Sequence, residues 1–438
     1  MNSLDTQRGV RAISTRLQFS NILLATIVLL ISGTATGQIC QDQECPSAPP
    51  WQHGYCLVKT KNFSPPEVKD GRDFAVSQGA VIAILEPGVM LGWVPQGSEG
   101  RFVGTHGILS VNRNPVSVSS LGFDTSSDPG QQALPAVNFF NAVAAGKLAN
   151  PPTPQGGAEG IAGEDVFDGG VQGQAGVAAA TSVPLDVMQG IGLATIIFVE
   201  SNGTIDKNLY SWTQTDFQSI ANQTLSAYSW WSSTASQHGK QLTFRAIYWW
   251  PTNTWFVTQG YEPILHAAGS GNSGDCLWVN PIMANLRHTE TGSGCADTAK
   301  KRVTAFNLQQ KTGNAVDWSF TDFVAYNPSP ASKTFTSGLS AYSYRGGPYI
   351  QALFRSSYDD PSLHYLVATH ETAHMFWACD EYPPCDLGNG QCSPCVGATR
   401  QILNGNCPTC NSNAVACIMN SVGAGQVICT YTVQQIGW

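Results

Sequence analysis

Charged side chains are scarce in this chain. They make up 12% of its 438 residues, about half the ~25% usual in globular domains. Basic residues are the scarcer sign, 22 Lys and Arg against 30 Asp and Glu for a net charge of -8, and their one run is Lys300, Lys301 and Arg302. That run reads as a solvated helix face. Such a balance excludes nucleic acid as the main partner, which takes a basic patch or stripe. No Gly-rich stretch is followed by Lys and Ser or Thr, so no phosphate-cradling loop is expected. Beyond residue 31 no apolar run approaches the ~20 residues that a membrane-spanning helix needs. Histidine is rare too, with 8 in all.

Small and turn-forming residues are plentiful instead. The 44 Gly and 25 Pro beside 42% hydrophobic residues describe a loop-rich globular chain, long enough for two or three domains. Arg8, Arg11 and Arg16 precede the apolar run ILLATIVLLI (22–31), and Ala35 and Gly37 follow in a small-residue stretch. This predicts a secretory signal peptide over 1–37, and with it a secreted chain, extracellular or periplasmic, with no stable membrane insertion after cleavage. Export gives a use to 13 cysteines. Cys379, Cys385, Cys392, Cys395, Cys407, Cys410, Cys417 and Cys429 crowd the C-terminal region and are expected to pair as disulfides. The spacings C-S-P-C (392–395) and C-P-T-C (407–410) also fit a zinc ribbon. The odd total leaves one thiol over, from among Cys40, Cys45 and Cys56.

Residues 38–149 alternate short apolar runs with turn residues, as in AVIAILEPGVMLGWVP (80–95) and RFVGTHGILSVNR (101–113). They predict a small β-rich domain, a propeptide or a binding module, with one helix around 136–148. Residues 150–188 are dominated by Gly, Ala and Pro and read as a linker. From 189 to 438 the periodicity predicts a strand at 191–200, a helix at 215–236, a strand at 241–250, a helix at 299–310, a strand at 318–326 and an extended segment at 339–347. The tryptophan pairs at 230–231 and 249–250 are expected to pack helix against sheet. Asp360 as N-cap and Pro361 at the first helical position predict a helix running to about Phe376. The fold class is α+β.

Inside that last helix lies HETAHMFWACDEY (370–382). Positions i and i+4 share a helix face, so His370 and His374 can present imidazole nitrogens to one ion. Glu371, offset by about 100°, stays out of the coordination shell and near an activated water, where it can take a proton and return it to a leaving amine. H-E-x-x-H has this zinc-hydrolase mechanism behind it. A catalytic zinc wants a third protein ligand. After His374 there is no further His, Glu381 is the last Glu, and the other carboxylates are Asp380 and Asp386. Asp380 stands six residues past His374, where H-E-x-x-H-x-x-G-x-x-H keeps its final His. Six more helical residues would carry it about 9 Å along the axis, so the chain must turn back after Phe376. Asp380 with Glu381 behind it, the reverse, and a Ca²⁺-type or solvated acidic turn all remain open on the residues alone.

The motif, with ACIMN at 416–420 and the element order from 191 onward, resembles the metzincin clan of zinc metallopeptidases, in a variant with Asp as third ligand. The resemblance spans roughly the C-terminal 250 residues. It implies a zincin/metzincin-like catalytic domain, a twisted mixed sheet with an active-site helix, preceded by the small β-rich region. It implies Zn²⁺ held by His370, His374 and Asp380, Glu371 as general base, Glu381 in support, Met419 in a turn beneath the histidines, and a protein or peptide substrate aligned along 339–347. The family's Gly after the helix is Trp377 here, which predicts a reshaped turn pinned by a disulfide at Cys379. The position of an oxyanion-stabilising Tyr is Ser421, with Tyr382 or Tyr431 as substitutes. Cys56 is a candidate cap on the zinc if 38–149 is a propeptide. The expected activity is a secreted zinc endopeptidase; an inactive zincin-like adhesion module and a zinc hydrolase of non-peptide amides are the alternatives.

Overall fold

The computed structural model describes residues 54–61, 64–122, 124, 127–148, 187–207, 210–249, 258–269, 274–327, 334–354, 364–383, 385, 400–421 and 425–438. The signal segment, nearly all of the Gly/Ala/Pro-rich stretch, and Asp360 and Pro361 lie outside the described residues. In chain order the elements are β1 (Tyr55–Thr60), α1 (Pro65–Ser77), β2 (Val81–Glu86), β3 (Val89–Trp93), α2 (Glu99–Phe102), β4 (Ile108–Asn112), α3 (Asp128–Ala144), β5 (Gly190–Ser201), α4 (Gln214–Gln237), β6 (Leu242–Trp249), β7 (Thr258–Gln259), α5 (Gly274–Asn285), α6 (Cys295–Gly313), β8 (Trp318–Ala325), β9 (Ala341–Ser343), β10 (Tyr349–Leu353), α7 (His364–His374) and α8 (Thr430–Gln435).

β5 is buried from its second residue to its last, as a strand covered on both faces must be. It pairs in parallel with β6 and β8, and β8 pairs in parallel with β10. The full sheet is mixed and ten-stranded, in the order β4-β1-β3-β2-β6-β5-β8-β10-β9, with β7 on β5. Antiparallel β9 forms one end of that path. The observed class is therefore α+β, as the periodicity predicts. Helices cover both faces, with α3, α4 and α7 in one apolar cluster and α1, α5 and α6 in others. α4 opens with a capping box in which Thr213 and Asp216 each bond the other's backbone N–H, satisfying two of the orphan donors at the helix start. Trp230 and Trp231 are fully buried in the apolar cluster that α4 shares with the sheet and with α7.

Several elements differ from the sequence reading. Within 38–149 there are two further helices, the one-turn α2 and α1, whose sequence PPEVKDGRDFAVS buries only Val68, Gly71, Arg72 and Ala75; so thin an apolar stripe leaves little periodicity to detect. α3 begins at Asp128, with Pro135 inside it. The four strands of this region lie in the same sheet as the later ones, joined where β2 runs parallel to β6 at Ile84 and Phe244. The Lys300–Arg302 triplet on α6 is no simple solvated face. Lys300 sits 3.9 Å over the Tyr344 ring, Arg302 bonds the Glu290 and Asn280 carbonyls, and Lys301 pairs with Asp297. Among the described residues no helix is long and apolar enough to cross a membrane.

Candidate metal centre

Helix α7 is held by its neighbours rather than by its own propensity. From His364 to His374 all residues but Tyr365 are buried. Gln223 on α4 accepts the Tyr365 N–H at 2.9 Å, and the Trp231 indole N–H donates to the Thr369 carbonyl at 3.1 Å. Gln426, from the loop before α8, donates to the Thr369 hydroxyl at 2.9 Å. One face of α7 is thereby fixed on α4, and its last turn lies against β9.

The helix ends where the metal-ligand spacing needs it to. Trp377 N–H bonds the His374 carbonyl at 3.1 Å and Ala378 N–H reaches back to Ala373 at 3.2 Å, the paired bonds of a Schellman cap. Such a cap needs a left-handed residue, and Trp377 supplies it with φ 73°. The expectation of a reshaped turn is therefore corrected. The turn keeps its geometry, and a bulky residue bears a strain that costs about 1–2 kcal/mol outside glycine. Half-buried Trp377 lays its indole on Gly346, where a Cβ would stand 2.3 Å from the ring, and Gly346 N–H donates to the His374 carbonyl at 2.8 Å. Cys379 is disulfide-bonded, as expected.

The reversal delivers Asp380 to the histidines. Asp380 Oδ1 lies 3.1 Å from His370 Nε2 and 3.2 Å from His374 Nε2, and the two Nε2 atoms are 3.2 Å apart. Both Nδ1 atoms face carbonyl oxygens at 2.8 Å, of Ile418 and Ala378 respectively. A carbonyl can only accept, so each Nδ1 carries a proton and each neutral ring turns its Nε2 lone pair toward the same point as the carboxylate oxygen. Three lone pairs converging on one point repel, and a cation, or a captured proton, resolves the arrangement. Three nitrogen or oxygen donors about 2.0–2.1 Å from a tetrahedral ion stand roughly 3.3–3.4 Å apart, close to the observed triangle. The donor set thus fits a metal ion. Between cation and captured proton, the protein's own electrostatics favour the proton, which a metal ion must displace. Burial disfavours a charged His370, yet the Asp380 hydrogen bond and the Glu371 charge raise it to about 9. For Asp380 burial pushes upward, and the two imidazoles overcome it and hold the carboxyl far below the usual range.

Glu371 is buried, and burial raises its pKa against the pull of both histidines and of Ser343. Ser343 Oγ on β9 donates to Glu371 Oε2 at 2.5 Å. Glu381 does not join the histidines. Its carboxylate accepts from Asn406 at 2.7 Å, Thr432 at 2.9 Å and the Cys429 thiol at 3.0 Å, and its N–H bonds the Met419 carbonyl at 2.7 Å. Between Asp380 and Glu381, then, Asp380 faces the ligand position. Met419 is fully buried in the main core, in a turn closed by Asn420 N–H on the Cys417 carbonyl at 2.9 Å. Within this turn, Ile418 accepts from the His370 ring through its carbonyl.

Of the two candidate tyrosines, Tyr382 stacks on His370 with ring centroids 6.4 Å apart, whereas Tyr431 packs against Gly405. Cys56 is no cap on the site. It lies on β1 in the apolar cluster beneath α1, its thiol donating to the Gly92 carbonyl at 3.4 Å and pushed up by burial to about 12. The C-P-T-C pair is no zinc ribbon either, since Cys407 is bonded to Cys385 and Cys410 is also in a disulfide.

Three residues near the centre escaped the sequence reading. Ser343 had no signal beyond its place in an extended run. Arg345 follows it, half-buried in the field of Asp380, Tyr342 and Tyr382, with burial lowering its pKa. Asp322, the one charged residue on the fully buried β8, is raised to about 7 by burial and by Glu371. A carboxylate in the middle of WSFTDFVA was the one detectable clue. Comparison with family models, with curated proteins and with solved structures gives no match.

Proposed function

We propose that the chain is a zinc-dependent endopeptidase of metzincin-like type, using His370, His374 and Asp380 as ligands and Glu371 as general base. The observation that carries the reading is the triangle of three lone pairs, 3.1–3.2 Å on each edge, at the foot of an H-E-x-x-H helix. Its donor set of two imidazoles and one carboxylate leaves a fourth position for solvent or substrate, as catalytic zinc sites do. Zinc supplies Lewis-acid polarisation of the scissile carbonyl and acidification of a water.

The chain's own groups do the rest. Glu371, with a raised pKa and one oxygen fixed by Ser343, is suited to take a proton near neutral pH and return it to the departing amine. β9, at the end of the sheet path among the described residues, is where an extended peptide would add as a further strand beside the base. Ile418 and Ala378 carbonyls hold both imidazoles in the tautomer that binds metal. Tyr382, whose ring stacks on His370, is the preferred donor to a developing oxyanion.

The test is Glu371→Gln in the full chain. It should retain one zinc per molecule and lose cleavage of a mixed protein substrate such as casein by at least about a hundredfold. A wild-type protein that binds zinc but cleaves no peptide bond under any condition would refute the peptidase reading and leave a binding module or a non-peptide amidase.

A further inference from the structure

Beneath the metal ligands lies a second cluster that the proposed chemistry does not use. Glu381 Oε1, Cys417 Sγ and Cys429 Sγ are buried and lie within 4.8 Å of one another. Both thiols are free. They share one hydroxyl, Thr432 Oγ1, at 3.2 Å from Cys417 and 3.5 Å from Cys429, and the Cys429 N–H points at Cys417 Sγ over 3.3 Å. Their surroundings are oxidised: Cys379, Cys385, Cys407 and Cys410, the other described cysteines of this region, are all in disulfides. Two adjacent thiols left reduced amid such neighbours are the exception that calls for an explanation.

We propose that Cys417 and Cys429 are joined in the working protein, and that this disulfide fixes the Met419 turn beneath the metal ligands. The local hydrogen bonding tolerates the bond. Joining the sulfurs removes the Cys429 S–H donor from Glu381, but Asn406 and Thr432 still satisfy that carboxylate at 2.7 and 2.9 Å. The step is thiol–disulfide exchange with a small-molecule or protein disulfide. One cysteine sulfur displaces a thiol from the donor, the second displaces the other, and both thiol protons end on the two thiols released. Two electrons pass from the pair to the donor.

The location gives the bond a consequence. Cys417 begins the turn, its carbonyl accepting from Asn420 and Ser421 at 2.9 and 3.0 Å. The next residue, Ile418, holds the His370 ring through its carbonyl. Cys429 caps α8, taking the Thr432 N–H on its sulfur at 3.5 Å. A covalent tie between them anchors the turn to the last helix and so keeps the carbonyl that orients His370 in place. This second part rests on the metal reading above, whereas the bond itself does not.

The experiment is alkylation of the full chain in denaturant without reductant, followed by mass spectrometry. No Lys or Arg follows Arg400, so trypsin leaves 401–438 uncut, joined through Cys407 to the peptide that carries Cys385, and fragmentation of that species locates the modified sulfurs. Cys417 and Cys429 are expected to escape alkylation and to appear joined. Full alkylation of both overturns the proposal, as does a second metal ion in the native mass that alkylation displaces. The double variant C417S/C429S, which keeps hydroxyls for Thr432 and Glu381, is expected to lose metal to a chelator about tenfold faster than wild type. Equal rates overturn the role in metal retention. Should wild type hold no metal at all, the proposed function fails, and alkylation still decides the bond.

Discussion

Replacing Trp377 by Gly and by Ala isolates the strain at the helix end. Both substitutions remove the indole that rests on Gly346, so their loss of packing is the same. They differ in backbone. At φ 73° an alanine retains the left-handed penalty of about 1–2 kcal/mol, while glycine adopts that conformation freely, at the cost of greater freedom in the unfolded chain. Inside an ordinary helix or strand the unfolded-state term makes Gly worse than Ala by roughly 0.5–1 kcal/mol. Here the sign should invert, with Trp377→Gly more stable than Trp377→Ala by about 1 kcal/mol, a factor of roughly five in the unfolding equilibrium. Urea denaturation of the zinc-loaded proteins at matched slopes measures it. The same pair should rank alike in zinc retention, because this turn brings Asp380 back to the imidazoles. An alanine variant as stable as the glycine variant, or more so, refutes the left-handed assignment and with it the account of how Asp380 arrives.

Three further outcomes are expected. Ser343→Ala removes a hydrogen bond to a buried carboxylate, worth about 1.5–3 kcal/mol; kcat/KM should fall roughly ten- to a hundredfold with zinc content unchanged, and the acid limb of the pH profile should move up, since Ser343 lowers the Glu371 pKa. An unaltered profile would remove Ser343 from the mechanism. Asp380→Asn should cost more zinc affinity, in a competition titration, than the 10–100-fold typical of supporting contacts; near wild-type affinity contradicts the ligand assignment. Glu86 on β2 is fully buried, and burial outweighs Arg245 and the Ala246 N–H to raise it from 4.5 to about 8. The native state therefore binds more protons than the unfolded one across that window, so stability falls as pH rises from about 4.5 to 8. Glu86→Gln should flatten this slope and be more stable at pH 8.5 by about 2–4 kcal/mol; a parallel pH curve for the two proteins would refute it.

The convergence of His370, His374 and Asp380 on one point was legible in the sequence because its determinants are local. His370 and His374 are bound together by helix periodicity, and Asp380 by a fixed count of residues from them. The central strands β5, β6 and β8 were legible for a similar reason, β5 as a buried apolar run and β6 by its alternation, with lengths and flanks that differ from those of a helix. Ser343 was not, because its bond to Glu371 spans 28 positions and depends on which strand ends up at the sheet edge. Trp377 misled in a different way: residue type argued against a left-handed turn, and packing on Gly346, with the Trp377 and Ala378 N–H bonds back to His374 and Ala373, holds it there. The helices α1 and α5 were hidden at opposite extremes, one too polar to show a stripe and the other, with Trp278, Val279, Ile282 and Met283 all buried, apolar on too many sides to show one.

The shared sheet also decides how the chain answers a protease. β2 is stitched to later segments by Ser232 on the Ala83 carbonyl, Thr243 on the Ile82 carbonyl, and the Ala246 N–H on Glu86. Arg72 adds a bond to Thr243, and Tyr55 one to Ser229. A nick anywhere in 149–186 severs none of these. The two fragments should co-elute as a complemented pair and part only under denaturant, so a band shift on a denaturing gel would record scission without release.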